Sequence, residues 1–356
     1  MENFLFFSQK LANWYAVNHR NLPWRNINDP YRIWISEIIL QQTRIVQGLE
    51  YYNRFVRRFP NVRSLAESSE REVLKYWQGL GYYSRARNLH AAARSIVSEY
   101  DGEFPCRYED VLRLKGIGEY TAAAIVSFAW NQPYPVVDGN VYRFLSRLFA
   151  IDEPIDTSKG KKYFTELAAE LMDGSQADAF NQAIMEFGAL QCVPSSPDCG
   201  ICPFRNECLA YSHRTIACYP VKQNKTQTKN LYLYYFHIHD AEHLYLKQRQ
   251  GRGIWQNLFE FPLIESKNAL SFEEIIQAFS SKKWFPDNLT CDFRLKTENR
   301  KHVLSHRILY ANFYELKLKH LPDAPKELIR IAHTTMDDYP VHRLMQFYLE
   351  KNGRFV

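Results

Sequence analysis

Long apolar runs are absent from this sequence of 356 residues. No stretch approaches the roughly 18 consecutive apolar residues that a membrane-spanning helix needs, so we expect no membrane partner. The opening residues, MENFLFFSQK, contain too short an apolar run for a secretory signal peptide. Internal repeats and low-complexity tracts are also missing. These absences predict a globular cytoplasmic protein, and its length predicts two or three domains.

Cysteine is sparse and unevenly spread. Of seven cysteines, Cys106, Cys218 and Cys291 stand alone. An odd cysteine count without a secretory signal argues against a disulfide framework. The other four share one short loop, with six, two and five residues between them: Cys192, Cys199, Cys202 and Cys208. Four thiolates at this spacing can surround one metal centre, and the spacing alone leaves both zinc and an iron–sulfur cluster open.

Basic residues are concentrated in one part of the chain. The formal net charge is +6, and residues 44–94 alone carry ten Lys or Arg against four Glu. Such a stretch can be a set of solvated helix faces or a surface that binds a polyanion. The charge pattern alone does not decide between these two interpretations.

Helical periodicity dominates residues 1–210. We predict helices over 84–100, 109–115, 119–130, 139–150, 158–173 and 177–190, and another that begins after Ser68 or Ser69 and stops near Gly79 or Gly81. The pattern changes after Cys218. Residues 219–229 are polar and indicate a linker, and residues 230–356 show several strand patterns and one helix capped by Ser271. We therefore predict a mainly helical region, 1–218, followed by an α+β domain.

Two glycines precede an apolar helix in the segment LKGIGEYTAAAI. Gly116 and Gly118 would let the backbone approach a phosphate, and the following helix N-terminus would add a favourable dipole. A bare pair of glycines is a weak signal, but the flanking helices make it a helix–hairpin–helix candidate. Tyr120 follows at the mouth of the site that this helix would face.

Two carboxylates stand in unlike surroundings. Glu37 lies among isoleucines in WISEIILQQT, and a buried glutamate there would have a raised pKa and could act as a general acid. Asp138 lies in VVDGNVYRF at the start of a predicted helix, where the commoner role is an N-cap. A pair of this kind suits cleavage of a glycosidic bond.

Seven motifs occur in one order: LPWR, SEIILQQT, GLGYYSRARNLH, GIGEYTAAAI, VVDGNVYRF, NQAIMEFGALQC and the four-cysteine loop. Together they resemble the helix–hairpin–helix DNA glycosylases, specifically the adenine DNA glycosylases of the MutY type. Residues 230–356 resemble that family's lesion-recognition domain, which has a Nudix-like fold. They lack a Nudix catalytic box, so we expect recognition without phosphohydrolase activity.

The resemblance implies an enzyme of base excision repair that hydrolyses the N-glycosidic bond of adenine mispaired with 8-oxoguanine or guanine. It implies that Glu37 protonates the adenine ring and that Asp138 stabilises the sugar cation, with Asn140 as a hydrogen-bonding partner. The related endonuclease III type has lysine where this chain has Tyr120. Because a phenol cannot form a Schiff base, Tyr120 predicts a monofunctional enzyme that leaves an abasic site.

The resemblance also implies how DNA is held. Gln42 and Tyr82 would wedge into the base stack, and the hairpin residues Lys115, Gly116 and Gly118 would contact phosphates. The flipped adenine would lie among Trp24, Arg25, Leu40 and Gln182. Ser305 and His306 would read 8-oxoguanine. The implied partner is double-stranded DNA with an adenine:8-oxoguanine or adenine:guanine mispair, bound by a monomer, in association with the nucleoid if the source is a bacterium.

The four-cysteine loop is assigned by the resemblance as the site of a [4Fe–4S] cluster. Three positions depart from the family pattern. Leu304 replaces a usual phenylalanine, Lys115 replaces a usual proline, and the loop VPSSPD lacks the usual basic residues. Three alternatives stay open: an endonuclease III type glycosylase/lyase, a non-catalytic DNA-binding module and a zinc-bound nucleic-acid protein. Tyr120 and the second domain argue against the first, and the carboxylate pair argues against the second.

Overall fold

The chain divides into two units in the computed structural model, which describes residues 2–172, 174–224, 228–285 and 292–352. One unit comprises Met1–Glu67 and Ala91–Lys225, and the other comprises Ser68–His90 and Thr226–Val356. The helical segment of residues 68–90 therefore belongs to the same unit as the C-terminal part of the chain. Cys291 lies outside the described residues. No helix among those described is both long and apolar enough to cross a bilayer.

Helices account for most of the first 224 residues, as predicted. Their bounds are α1 (Glu2–Asn18), α2 (Pro30–Leu40), α3 (Ile45–Arg58), α4 (Val62–Glu67), α5 (Glu70–Trp77), α6 (Ser84–Glu99), α7 (Tyr108–Arg113), α8 (Glu119–Trp130), α9 (Gly139–Leu148), α10 (Ser158–Leu171), α11 (Ala177–Leu190) and α12 (Leu209–Ser212). The predicted cap of α5 is confirmed, because the Ser69 side chain accepts from the Glu72 N–H. The observed bounds lie within three residues of the predicted ones.

Local signals fix the position of α2, which carries Glu37. Asp29 caps its N-terminus by accepting from the N–H groups of Tyr31 and Arg32, and Pro30 occupies the first turn, where its missing N–H costs nothing. The helix ends at Leu40, and Gln42 takes a φ of 56° in the turn before α3. Residues 31–59 are rich in apolar side chains, and they form two helices, α2 and α3, with a sharp turn between them.

The helical core packs α1, α9, α10 and α11 around aromatic side chains, including Phe7, Phe144, Phe164, Phe187 and Phe204. Helix α8 is different, because eight of its twelve residues are buried and four of its residues are alanine. Small side chains let a helix pack closely on several neighbours, which include α2, α7 and α11. This packing holds the start of α8 beside the middle of α2.

The second unit contains a mixed sheet. Its strands are β1 (Lys229–His239), β2 (His243–Gln248), β3 (Phe259–Glu260), β4 (Leu263–Ser266), β5 (Arg294–Leu304), β6 (Arg307–Lys317) and β7 (Ile329–Ala332), accompanied by α13 (Phe272–Ser281) and α14 (Arg343–Lys351). The main strand order is β3-β2-β1-β6-β5. Strands β1 and β6 are parallel, and β5 and β6 form an antiparallel pair joined by the two-residue turn Ser305–His306. The predicted Ser271 cap of α13 is confirmed as a capping box with Glu274.

Hydrogen bonds connect residues 68–90 to the C-terminal part of the second unit. Asn257 donates to Glu70, and Arg87 donates to the Gln256 carbonyl. Val341 is bound twice, because its N–H donates to Gln78 and its carbonyl accepts from Tyr83. The predicted linker begins on the other unit, where the Asp156 carboxylate accepts from the N–H groups of residues 223 and 224. Residues 225–227 lie outside the described residues.

Candidate active site

A cavity of about 710 Å³ in the first unit collects most of the predicted catalytic and base-binding side chains. Helix α2, the starts of α8 and α9, and α11 supply its walls. Nine of the predicted site residues line it: Trp24, Arg25, Glu37, Leu40, Gln42, Tyr120, Asp138, Asn140 and Gln182. Residues that are more than 140 positions apart in the sequence thus line the same cavity.

Glu37 is held in the wall of this cavity with 8% of its surface exposed. The Tyr120 hydroxyl donates to Glu37 Oε2 over 3.0 Å. Burial raises the pKa of Glu37 to about 7, and the nearby Asp138 charge acts in the same direction, while the Tyr120 hydrogen bond opposes them. A carboxyl group with this pKa is protonated in part of the molecules at neutral pH and can donate a proton to a bound base.

Tyr120 stays a neutral phenol in this environment. Burial raises the pKa of Tyr120 well above its ordinary value, and the Glu37 carboxylate raises it further. Its place in the first turn of α8, two residues after the exposed Gly118, brings the hydroxyl into the cavity. The group can donate a hydrogen bond, and it has no amine with which to attack a sugar.

Asp138 serves as the N-cap of α9, as the commoner interpretation of the sequence predicts. Its Oδ1 accepts from the N–H groups of Asn140 at 2.8 Å and Val141 at 2.9 Å, and its Oδ2 accepts from Asn140 Nδ2 at 2.7 Å. Burial raises the pKa of Asp138, and these hydrogen bonds oppose that rise. The cap fixes the carboxylate at the positive end of a helix, with its charge facing the cavity.

Arg143 links the Asp138 centre to the cysteine loop. Its Nη2 donates to Asn140 Oδ1 at 2.8 Å and to the Gly188 carbonyl at 2.5 Å, and its Nε donates to the Cys192 carbonyl at 2.7 Å. The side chain that orients Asn140 is thus itself oriented by backbone on α11 and at the first loop cysteine.

Glu186 is a site residue that the sequence analysis missed. It lines the cavity from α11, and its carboxylate accepts from Arg20 and Arg25, at 2.6 Å and 2.5 Å in the shortest contacts. Burial acts to raise the pKa of Glu186, but the hydrogen bonds from the two guanidinium groups outweigh it and bring the pKa to about 2. This pairing sets the orientation of Arg25, one of the predicted base-binding residues. An acidic residue within the apolar stretch NQAIMEFGAL was the available signal.

The predicted DNA-contacting residues are exposed and occupy turns. Gln42 and Tyr82 take φ values of 56° and 46°, which are left-handed and costly for residues other than glycine. Gln42 borders the cavity, whereas Tyr82 belongs to the second unit, where its Oη lies 2.6 Å from Ser305 Oγ. Lys115, Gly116 and Gly118 form the exposed turn between α7 and α8, so the two helices and the turn predicted for this motif are present.

The basic stretch of residues 44–94 is not one surface. Arg85 is 9% exposed and donates to the Leu80 and Gly81 carbonyls, and burial lowers its pKa to about 10. Arg63 binds Asp101. In contrast, Arg44, Arg54, Arg57 and Arg58 are exposed on or next to α3. Polyanion binding is therefore supported for the α3 part of the stretch, and Arg85 has a structural role.

The four loop cysteines line one pocket together with Arg147 and Arg205. Arg147 is 2% exposed and donates to Cys192 Sγ at 3.5 Å and to the carbonyls of Val193 and Pro194. Burial raises the pKa of Cys202 to about 11, and the neighbouring thiolates act in the same direction. Four cysteines that share one pocket can supply the ligands of a metal centre once they are deprotonated.

Both domains of the chain match known families. A profile of the HhH-GPD superfamily base excision DNA repair proteins matches residues 35–170, which include Glu37 and Asp138, and a NUDIX domain profile matches residues 234–351. The predicted fold class, a helix–hairpin–helix glycosylase region followed by a Nudix-like domain, is confirmed.

Individual relatives agree with these matches. A curated adenine DNA glycosylase of Buchnera aphidicola subsp. Baizongia pistaciae is 36% identical over 312 residues, which cover 86% of this chain and 85% of that protein. A solved thermostable thymine-DNA glycosylase superposes with a TM-score of 0.56 at 28% identity, covering 60% of this chain and 98% of its own. A trapped endonuclease III–DNA covalent intermediate shares the fold, with a TM-score of 0.53 at 20% identity and coverage of 60% of this chain and 97% of that chain.

Proposed function

This chain belongs to the adenine DNA glycosylases, which are base excision DNA repair enzymes, and from that premise we propose that it removes adenine opposite 8-oxoguanine or guanine and leaves the strand intact. The observation that carries the proposal is the pair of unlike carboxylates in one cavity. Glu37 has a pKa of about 7, while Asp138 is held by three N–H donors. Such a pair provides one acid and one anion at neutral pH.

Cleavage then divides between the two carboxyl groups. Protonated Glu37 donates to the imidazole side of the flipped adenine, so that the base leaves as a neutral molecule. The Asp138 carboxylate stabilises the positive charge that develops on the sugar, by electrostatic attraction or a transient covalent bond, until water attacks. Asn140 and Arg143 keep the Asp138 carboxylate directed at the cavity.

A monofunctional reaction is supported by the residues that line the cavity. Tyr120 occupies the position at which the endonuclease III type carries lysine, and among the described residues no lysine lines the cavity. Strand cleavage through a Schiff base needs a primary amine next to the sugar carbon. We infer that the product is an abasic site in an unbroken strand.

One set of residues is assigned to the flipped adenine and another to the rest of the DNA. Trp24, Arg25, Leu40 and Gln182 surround the flipped adenine, with Glu186 fixing the Arg25 guanidinium and Tyr15 donating to the Gln182 amide oxygen. Gln42 and Tyr82 fill the space in the stack, and Lys115, Gly116 and Gly118 meet the phosphates.

The 8-oxoguanine opposite the adenine is assigned to the hairpin turn of β5 and β6. Ser305 and His306 are exposed there, and the Tyr82 hydroxyl shares a hydrogen bond with Ser305. Tyr82, one of the two proposed wedge residues, thus belongs to the same unit as the proposed lesion reader, which supports a joint role of these residues in recognising the mispair.

We propose a [4Fe–4S] cluster on Cys192, Cys199, Cys202 and Cys208. The pocket that they share and the buried Arg147 guanidinium, which donates to Cys192 Sγ, support it. The cluster would supply rigidity and position the DNA-binding surface, since hydrolysis needs no electron transfer. Because these thiols must stay reduced to bind it, we further propose a cytoplasmic protein, and one that acts on duplex DNA as a monomer.

A single-turnover assay tests the proposed function. The substrate is a duplex with adenine opposite 8-oxoguanine, and a matched duplex carries adenine opposite guanine. Breakage of the adenine strand only after alkali treatment is the expected result for both. Breakage without alkali would contradict the monofunctional assignment, and no release of adenine from either duplex, with the cluster intact, would favour a non-catalytic DNA-binding module.

A further inference from the structure

A tyrosine behind the wall of the cavity in the first unit contacts two of the residues proposed to bind adenine. Tyr15 lies near the end of α1, and its hydroxyl donates to Gln182 Oε1 on α11 over 3.2 Å. The Arg25 guanidinium lies over its ring, with the guanidinium carbon 5.7 Å from the ring centroid. Arg25 and Gln182 line the cavity, whereas Tyr15 is not one of the described residues that line it. Tyr15 can therefore act on a bound base only through its neighbours.

We propose that Tyr15 is a positioning residue, which holds the Gln182 carboxamide in the orientation that reads the 6-amino group of adenine. This inference rests on the proposed function, because it names the atoms of the flipped base that Gln182 contacts. The Tyr15 hydroxyl decides which end of the carboxamide faces α1, and that choice decides which purine the cavity side of the carboxamide can bind.

The direction of the hydrogen bond between Tyr15 and Gln182 follows from the groups present. Burial raises the pKa of Tyr15, so the phenol keeps its proton and can donate it. Among the described residues, Gln182 Oε1 is the acceptor of that proton. A carboxamide turned by half a rotation would bring Nε2, which only donates, to the phenol and leave the phenol proton unpaired. Tyr15 therefore keeps Oε1 on the side of α1.

The carboxamide groups that remain available match adenine. One hydrogen bond uses one of the two lone pairs of Oε1, and it leaves the other lone pair and both Nε2 hydrogens. A glutamine carboxamide pairs with adenine by accepting from the 6-amino group and donating to the neighbouring ring nitrogen. Guanine carries an oxygen at this position, so it presents an acceptor to Oε1 where adenine presents a donor. The contact of Tyr15 with Gln182 thus favours a 6-amino purine.

Packing holds both partners of this contact. Tyr15 packs against the helical core from α1. Gln182 lies four residues before Glu186 on α11, so the two side chains share a face of that helix. The Glu186 carboxylate binds Arg25, and the Arg25 guanidinium covers the Tyr15 ring. The ring of Tyr15 therefore supports Arg25, and its hydroxyl supports Gln182.

Tyr15→Phe tests the inference, because it removes the hydroxyl and keeps the ring that Arg25 covers. The substrates are duplexes with 8-oxoguanine opposite either adenine or unsubstituted purine, which lacks the 6-amino group. In single-turnover assays of the cluster-containing protein, we expect the rate to fall about 5-fold on adenine and less than about 2-fold on purine, as for one lost hydrogen bond. Tyr163→Phe, on an exposed tyrosine of the same unit, is the matched control and should change neither rate.

A double variant separates positioning from a general loss of structure. In a Gln182→Ala background, adding Tyr15→Phe should change the rate on adenine less than about 2-fold, because the residue through which Tyr15 acts is gone. No loss in Tyr15→Phe, an equal loss on adenine and purine, or the same loss in both backgrounds would overturn the inference and leave the proposed function standing. A wild-type protein that releases no adenine would overturn the proposed function, and the inference with it.

Discussion

The Tyr120 hydroxyl and the Glu37 carboxylate, 83 residues apart in the sequence, meet over 3.0 Å in the cavity of the first unit. This contact has two consequences for the chemistry. It favours the charged form of Glu37 and so moderates the rise in pKa that burial causes. In the proposed reaction, the Tyr120 phenol also occupies the place from which an amine could reach the sugar.

The first prediction concerns pH. In the proposed mechanism Glu37 acts in its protonated form, and its pKa is raised to about 7, so the single-turnover rate should fall as the pH rises above about 7. Tyr120→Phe removes a hydrogen bond that stabilises the charged form, which raises the pKa and moves this limb to higher pH. Rate–pH profiles of the two proteins measure the shift, with Tyr163→Phe on an exposed tyrosine as control. If the pH at which the rate falls is unchanged or lower in Tyr120→Phe, Tyr120 does not lower the pKa of Glu37.

The second prediction separates the two roles of Asp138. Asparagine is also a good N-cap, so Asp138→Asn should keep α9 and the thermal stability while it removes the charge that we propose stabilises the sugar cation. We expect a rate loss of roughly three orders of magnitude with little change in affinity for duplex DNA. Gel-shift and single-turnover assays provide the two measurements. Lost DNA binding in this variant would make Asp138 a structural residue only.

The third prediction converts the reaction type. Tyr120→Lys places a primary amine in the cavity, and we expect some strand breakage without alkali and an adduct with DNA that borohydride traps. The double variant Tyr120→Lys with Asp138→Asn is the control, because it should neither release adenine nor form the adduct. A Tyr120→Lys protein that releases adenine but gives no trapped adduct would count against our account of this position.

The fourth prediction concerns the opposite base. Tyr82→Phe keeps the ring but removes the hydroxyl that contacts Ser305. The preference for 8-oxoguanine over guanine should fall about 5-fold, which corresponds to one hydrogen bond of about 1 kcal/mol. Rates on the two mispairs give the ratio, and Ser281→Ala at the end of α13 is the control. An equal loss on both duplexes would assign Tyr82 to general DNA binding.

The fifth prediction concerns stability. Glu186→Gln leaves the 11% exposed Arg25 without its carboxylate partner, which should cost about 3 kcal/mol. Arg20 also donates to the Glu186 carboxylate, but its side chain is 34% exposed, so solvent screening reduces its share of the loss. In the wild type the pKa of Glu186 is lowered from 4.5 to about 2, so its stabilisation is complete above pH 4.5 and is lost as the pH falls towards 2. Thermal unfolding measured at several pH values tests this, with Glu166→Gln as the control. Equal stability of Glu186→Gln and Glu166→Gln at neutral pH would contradict the prediction.

Local patterns in the sequence predict the helices, their caps and the α+β character of the second domain. The Ser69, Asp138 and Ser271 caps depend on residues within three positions of each other, and such signals are readable from sequence. Glu186 was not predicted from the sequence, because the partners of this buried acid are two arginines more than 160 residues away. The contact of Tyr82 with Ser305 spans 223 residues and arises only from the fold.

The grouping of residues 68–90 with the C-terminal sheet also bears on how shortened versions of this enzyme are interpreted. Cutting the chain after residue 225 removes Asn257, Gln256 and both polar groups of Val341 from α5, α6 and the segment between them. Tyr82, a proposed wedge residue, lies in that segment, so a truncated enzyme would carry Tyr82 without the hydrogen bonds that support its segment. Its faults in mispair discrimination would then combine a missing reader with a displaced wedge, and a point variant of His306, which leaves the Tyr82–Ser305 hydrogen bond in place, can tell the two apart.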